Sequence, residues 1–256
     1  MLKTFFEIET NDQGQPLSIA KRNNQKLFTG LKISNDQYAM IQQGQYPVIF
    51  LNLKETRGNS YKEIENNIKE KVITLFSENR YLEKYLIKSD EFLVESRRRK
   101  LTKYLSGKFS KADLQDSLRF LSEILAKHFK RNVYILIDEY DEVINDSYIK
   151  FNQKPKEFEQ ILDLIRGILS SALKQNQYLE KGVLTGILRI AKASLFSGLN
   201  NVVEYTLLDP EFDQFYGFTK EEVNDLLTKV SKIVNPNDIK EWYNGYNFGQ
   251  QIIYNP

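Results

Sequence analysis

Two stretches of this sequence are apolar at almost every position: YPVIFLNL (Tyr46–Leu53) and NVYILI (Asn132–Ile137). A strand with one wet face alternates apolar and polar side chains, whereas a strand covered on both faces has no polar positions to reserve. Both runs therefore read as strands covered on both faces, as in a parallel sheet. Two more runs have strand character, GVLTGI (Gly182–Ile187) and VVEYTLL (Val202–Leu208). The long segments between them are helical by pattern. In SKADLQDSLRFLSEILAKHFKR, Leu114, Leu118, Leu121, Leu125 and Phe129 share one helical face behind Ser110 as N-cap. Segments 60–104 and 155–178 are helical too, the first as two or three helices. Strand, helices, strand, helix, strand is the order of an α/β layer fold with right-handed crossovers.

The tail has a different pattern. FTKEEVNDLLTKVSKI and NPNDIKEWYNG read as two short helices and YNFGQQIIYNP as extended chain. Residues 1–212 are accordingly expected to form the α/β core, and 213–256 a small helical lid with the start of a C-terminal extension. The polar stretch Asn11–Lys26 reads as a mobile connection. Composition then removes whole classes of function. Lysine plus arginine is 36 against 34 acids, a net charge of +2, so any binding face for nucleic acid must come from local clustering. With no cysteine there are no disulfides, thiolate metal sites or cysteine nucleophiles, and the single histidine, His128, excludes multi-histidine metal centres. We read His128 as a cation or packing residue at a helix C-terminus. No apolar run reaches the roughly 20 residues of a membrane helix, and the N-terminus lacks the apolar core of a signal peptide. The expected location is the cytoplasm.

The sharpest chemical feature is VYILIDEYDE (Val133–Glu142), a hydrophobic strand running straight into Asp138 and Glu139. It has the shape of a Walker B element, in which the aspartate orients hydrated Mg²⁺ and the glutamate polarises an attacking water. A strand ending in an acid that caps the next helix has the same shape, and so the pattern alone leaves both readings open. In GVLTGILRIAKASLFSGLNN, Thr185 at a strand end could sense a γ-phosphate and Arg189 could meet phosphate charge; the alternatives are a capping threonine and a surface arginine. Arg97, Arg98, Arg99 and Lys100 form a basic block that reads as a solvated helix face, with a phosphate-backbone contact as the alternative. The cluster Trp242, Tyr243, Tyr246 and Phe248 reads as packing of the lid onto the main domain, with stacking on a base as the alternative. Asp138, Glu139, Asp141 and Glu142 make a poor hydrolytic metal cluster, because adjacent strand residues face opposite sides and no nearby lysine completes a nuclease pattern.

Six blocks occurring in one order carry a resemblance over nearly the whole chain: LFTGLKI (27–33), QYPVIFLNLK (45–54), VYILIDEYDEVI (133–144), LTGILRIAKASLFSGLNN (184–201), FYGFTKEEV (215–223), and EWYNGYNFG with IYNP (241–249, 253–256). Together they resemble the AAA-ATPase-like family of P-loop proteins, whose members often carry a restriction-nuclease-like domain after the ATPase part. The resemblance implies an ASCE-type parallel sheet flanked by helices, Asp138 and Glu139 in the Walker B role with Mg²⁺ held by Asp138 through water, Thr185 at the sensor position, and Arg189 near the nucleotide or a neighbouring subunit. It implies MgATP as ligand.

One element of the pattern is not found. A phosphate loop needs a glycine-rich GxxxxGK[ST] so that backbone N–H groups and a lysine can cradle phosphates. The sequence contains none: its one Gly-Lys pair, Gly107-Lys108, is followed by Phe109, and position 102 is Thr. MLKTFFE (1–7) resembles the end of the phosphate-loop helix of relatives, and relatives continue beyond IYNP. The expectation is a truncated AAA-ATPase-like protein, inactive alone, without the phosphate-loop strand and with weakened order at 1–26 and around 200–210. VVEYTLL would then either shift beside GVLTGI or leave a sheet edge open to a companion chain or upstream fragment that supplies the loop. The alternative is a non-catalytic protein-interaction module on a degenerate P-loop scaffold. A third reading is a nucleic-acid-binding accessory acting through the 97–100 block.

Overall fold

A computed structural model describes residues 1–87, 92–151, 153–174, 176–187, 202–230, 236–243 and 245–254. The chain divides into two compact units, Met1–Asn200 and Asn201–Pro256. In chain order the first contains α1 (Leu2–Phe6), α2 (Gln37–Gln42), β1 (Val48–Asn52), α3 (Tyr61–Glu78), α4 (Glu95–Leu105), α5 (Lys111–Phe129), β2 (Val133–Asp138), α6 (Glu142–Phe151), α7 (Pro155–Leu173) and β3 (Leu179–Leu184). Short 3-10 turns occupy 19–21, 24–28, 32–35 and 80–86.

The three strands form one parallel sheet in the order β1-β2-β3. The most apolar run, β2, is thus central, as its lack of polar positions requires. Ile49 and Leu51 of β1 and Ile135 and Ile137 of β2 share a face and join one core with α3, α5 and α7. The opposite face carries Phe50, Tyr134, Leu136 and Val183. Phe6 stacks on Tyr134 with ring centroids 4.5 Å apart, and Tyr46 packs edge-on at 4.6 Å. Leu136 is buried there, but Phe50, Tyr134 and Val183 are only half-buried. Two-sided cover, as the apolar runs lead one to expect, is therefore complete on the helical face and partial on the other.

The helices begin and end where local chemistry dictates. Ser110 and Asp113 form a reciprocal capping box on α5, and Lys130 closes that helix in the left-handed region at φ 54°. Leu114, Leu118, Leu121 and Leu125 are all within 1% of full burial. Pro155 opens α7, where its missing N–H costs nothing. The basic block lies on α4 and is spent on internal pairs: Arg97 with Glu123 at 3.1 Å, Arg98 and Arg99 with Glu95 at 3.7 and 3.1 Å, and Lys100 with Asp116 at 2.5 Å. Burial pushes the Asp116 carboxyl up, but its bonds and charge pairing with Lys100 and Arg119 outweigh this and hold it below the ordinary carboxylate value.

The N-terminal segment is better anchored than its polarity suggests. Ile8 N–H donates to the Tyr46 carbonyl and Tyr46 N–H to the Phe6 carbonyl, both at 2.9 Å, so that Glu7 and Tyr46 form a parallel bridge beside β1. Asn11 Oδ1 accepts from the N–H groups of Gln13 and Gln15, closing a turn. Two distant side chains hold that turn: Lys84 Nζ donates to the Gln13 carbonyl at 3.0 Å, and His128 Nε2 bonds the Gly14 carbonyl at 2.7 Å. A carbonyl only accepts, so the His128 proton sits on Nε2, which leaves Nδ1 to accept from the Tyr85 hydroxyl at 2.5 Å. Burial drives the His128 pKa below the ordinary value, and the Lys84 charge adds to this; the Gly14 bond opposes them only in part. The unfolded chain therefore binds the proton more readily than the folded one. Stability is fully present above about pH 6.5 and falls as pH drops below it. Since His128 is the chain's single histidine, a urea midpoint measured at pH 7.5 and 5.5 should decrease on acidification in the wild type. Its pH dependence in this window should flatten in His128→Gln.

The run Val202–Leu208 is not a strand. Thr206 and Asp209 turn the chain instead: Thr206 Oγ1 donates to Asp209 Oδ2 at 2.7 Å, and Asp209 N–H donates to the Thr206 carbonyl at 3.1 Å. These local bonds compete with a ladder, and a strand needs a neighbouring edge to hold it. Val203 and Leu208 are each 72% exposed. The strand read at Gly182–Ile187 is displaced as well: β3 runs from Leu179 to Leu184, and Thr185–Ile187 lie beyond it. Among the described residues β3 pairs with β2 alone.

The second unit contains α8 (Lys220–Val230), α9 (Pro236–Tyr243) and an antiparallel hairpin of β4 (Tyr246–Phe248) and β5 (Gln251–Ile253). Thr219 and Glu222 cap α8 reciprocally, and a further bridge joins Phe218 to Tyr254. Trp242 is 80% exposed.

Candidate functional site

The carboxyl end of a parallel sheet is where α/β folds bind ligands, because loops diverge there and helix N-termini point towards it. In this chain β2 delivers Asp138 to that end, level with Asn52 of β1. The Asp138 carbonyl accepts from Leu53 N–H at 2.9 Å, and that bond carries the β1 ladder to the last residue of β2. On the other side Thr185 N–H donates to the Ile137 carbonyl at 2.9 Å, which sets Thr185 beside Asp138. The Thr185 hydroxyl donates to Asp138 Oδ1, and Glu139 N–H donates to the same oxygen at 3.1 Å. Asp138 Oδ2 has no hydrogen-bond partner among the described residues. One oxygen of the carboxylate is thus doubly anchored and the other is open.

Glu139 is held in the left-handed region at φ 51°, a conformation that costs a residue with a Cβ on the order of 1 kcal/mol. Its carboxylate has no ion pair or hydrogen bond among the described residues. The chain reverses at Glu139, and Glu142 N–H returns to the Glu139 carbonyl at 3.1 Å as α6 begins. Arg57, from the loop after β1, reaches across to Glu142, with Nε at 2.8 Å and Nη2 at 2.6 Å from one carboxylate oxygen. The turn behind the acid pair is therefore tied to both neighbouring segments.

Of the residues the sequence singles out, Asp138, Glu139 and Thr185 come together at this end of the sheet. Arg189 lies outside the described residues. Three features had no assigned part in the reading of the sequence: the Arg57–Glu142 bridge, the burial of Asp141 (3% exposed) against the exit of β3, and the space restriction at Gly186. The spacing DEYD and the Gly following Thr185 are their only trace in the sequence, and neither has meaning without the pairing of β2 and β3. No group of three or more His, Cys, Asp or Glu among the described residues could cage a metal ion. A cleft of about 260 Å³ lined by Lys3, Glu7, Pro47, Glu78, Tyr81 and Phe129 opens elsewhere, beside the amino end of β1.

The α/β fold, a three-stranded parallel sheet flanked by helices, is consistent with a P-loop-like architecture. Residues 1–196 match the AAA-ATPase-like family, described as "Predicted AAA-ATPase", and the chain belongs to that family, which implies nucleotide binding in general terms. Over 124 residues it is 31% identical to an uncharacterised protein in the vnfD 5′ region of Azotobacter chroococcum mcd 1; the match takes in 48% of this chain and 23% of that protein. No solved structure matches. No helix among the described residues is long and apolar enough to cross a membrane.

Proposed function

We propose that this chain carries the metal-and-water half of an ATPase site. The observation that supports it best is the asymmetric anchoring of Asp138, which holds Oδ1 from two sides and leaves Oδ2 without a hydrogen-bond partner among the described residues, directly before Glu139 in the chain. Mg²⁺ keeps most of its waters and takes one or two carboxylates rather than an all-protein cage, so a single open carboxylate suits it. Asp138 would hold Mg²⁺ through water, Glu139 would accept the proton of the attacking water, and Thr185 would keep Asp138 oriented. Bound MgATP would supply the electrophilic phosphate and the metal charge. Arg189 is assigned to phosphate charge on the nucleotide or at a neighbouring subunit, 213–256 to a lid, and the cytoplasm to the protein's location.

The phosphate side of the site is not provided by a GxxxxGK[ST] in this sequence. The backbone cradle is the larger source of phosphate affinity, and the chain alone is therefore proposed to be inactive. Among the described residues β3 pairs on one side alone, and its other side is where a strand from a companion chain, carrying the loop, would add. Calorimetric titration of the purified chain with MgATP, beside Asp138→Asn, tests this reading. No measurable binding by either protein is expected, and binding that Asp138→Asn weakens would show that the site works without its loop. The same side of β3, unpaired among the described residues, also favours the second reading, a non-catalytic module that pairs with a partner strand. An upstream reading frame encoding the glycine-rich loop separates the two: its presence fits the split ATPase, its absence the module.

A further inference from the structure

Asp141 lies three residues after Asp138, and the left-handed turn at Glu139 folds it back beneath the exit of β3. Its Oδ2 accepts two bonds, from Ile187 N–H at 3.2 Å and from the Asn145 side-chain nitrogen at 3.1 Å. Asn145 sits in the first turn of α6, and its own N–H donates to the Asp141 carbonyl at 2.9 Å. One carboxylate therefore joins α6 to the chain leaving β3. Between the two anchored residues lies Gly186, where a Cβ would stand 2.5 Å from Asp141 Oδ1 and 2.8 Å from Tyr140 Cε1. Its φ is not positive, so the restriction is one of space: a larger residue needs Asp141 or Tyr140 to shift.

We propose that Asp141 is a positioning residue that keeps the Thr185 hydroxyl on Asp138 Oδ1, so that Oδ2 stays open to a hydrated cation. The proposal rests on the reading of Asp138 given above, and it adds the part of the chain that holds the site in register. Thr185 is 47 residues from Asp138 in sequence, and it belongs to the short segment between the end of β3 and Ile187. Ladder bonds fix that segment on its strand side: Thr185 N–H to Ile137, and Tyr140 N–H to the Thr185 carbonyl at 3.2 Å. Asp141 fixes it on the far side. With only the first set, the hydroxyl is free to swing with the departing chain. With both, its position is determined from two directions, the condition for a preorganised site.

The test uses the full chain, isotopically labelled, with native-state amide exchange as one readout and titration with MgCl₂ alone as the other. Asp141→Ala should speed exchange at Ile187 and Thr185 by about tenfold or more and leave Ile135 and Leu136 unchanged. Asp141→Asn retains an oxygen acceptor of the same shape and should restore most of the protection. Gly186→Ala, with Asp141 intact, should reproduce the local acceleration by forcing the two apart. In the wild type and Asp141→Asn the Thr185 methyl signal should shift as Mg²⁺ is added; in Asp141→Ala that response should be lost while the Glu139 amide still responds. Unchanged exchange at Ile187 in both Asp141→Ala and Gly186→Ala overturns the proposal, as does acceleration spread evenly through β2 in both. Local exchange effects with no Mg²⁺ response in the wild type would support the positioning of Thr185 and count against the metal reading of Asp138.

Discussion

Tyr104→Ala should lower the folding free energy by about 3–5 kcal/mol, the range for removing a fully buried aromatic ring. Tyr104 is 0% exposed and stacks on Phe76 with centroids 4.4 Å apart and planes 6° from parallel; Phe120 and Phe109 pack at 5.3 and 5.1 Å. Its hydroxyl donates to the Asp113 carbonyl at 2.6 Å, in the first turn of α5. One side chain thus joins α3, α4 and α5. Tyr104→Phe keeps the ring and removes only the bond, and should cost about 1–2 kcal/mol. Equilibrium urea unfolding of both variants checks the pair. Equal losses would mean that the hydroxyl, and not the ring, carries the residue's contribution.

The second large effect is chemical. In a complex that supplies a glycine-rich phosphate loop, Glu139→Gln should reduce ATP turnover by roughly two to four orders of magnitude, the range for removing a general base. The same change should leave the urea midpoint of the isolated chain nearly unaltered, because the Glu139 carboxylate has no bond or ion pair among the described residues that glutamine would break. Gln also preserves the side chain's shape at the left-handed turn. Turnover is measured in the assembled complex and stability in the chain alone. Turnover within a few-fold of wild type would remove Glu139 from the reaction. A destabilised variant would instead show a structural carboxylate. Turnover by the isolated chain that Glu139→Gln abolishes would overturn the proposed inactivity.

Both predictions draw on parts of the molecule that were unequally legible in the sequence. The stripe Leu114, Leu118, Leu121 and Leu125 spells out its helix and buried face, because helical periodicity and a Ser110 cap are local properties. The acid pair after NVYILI is equally local, and β2 ends at Asp138 as the run suggests. Val202–Leu208 shows where this kind of reading fails. Its composition suits a strand, but no edge holds it there, and Thr206 closes a turn with Asp209 instead. The polar stretch at 11–26 fails in the opposite direction. It looks unattached because its own residues are polar, whereas its anchors, Lys84 and His128, lie far along the chain.

The class of fold follows from local pattern: apolar runs without polar positions demand cover from helices, and the periodic segments between them provide it. The same pattern also places two carboxylates at the end of the central strand. What those carboxylates meet depends on how the strands pair. The pairing of β2 with β3 carries Thr185 to Asp138, tucks Asp141 beneath Ile187, and brings Asp141 and Tyr140 so close to Gly186 that a Cβ there would displace them. Periodicity reports which side of an element is buried, while a contact between residues 47 apart depends on the register of two strands that meet only when the sheet forms.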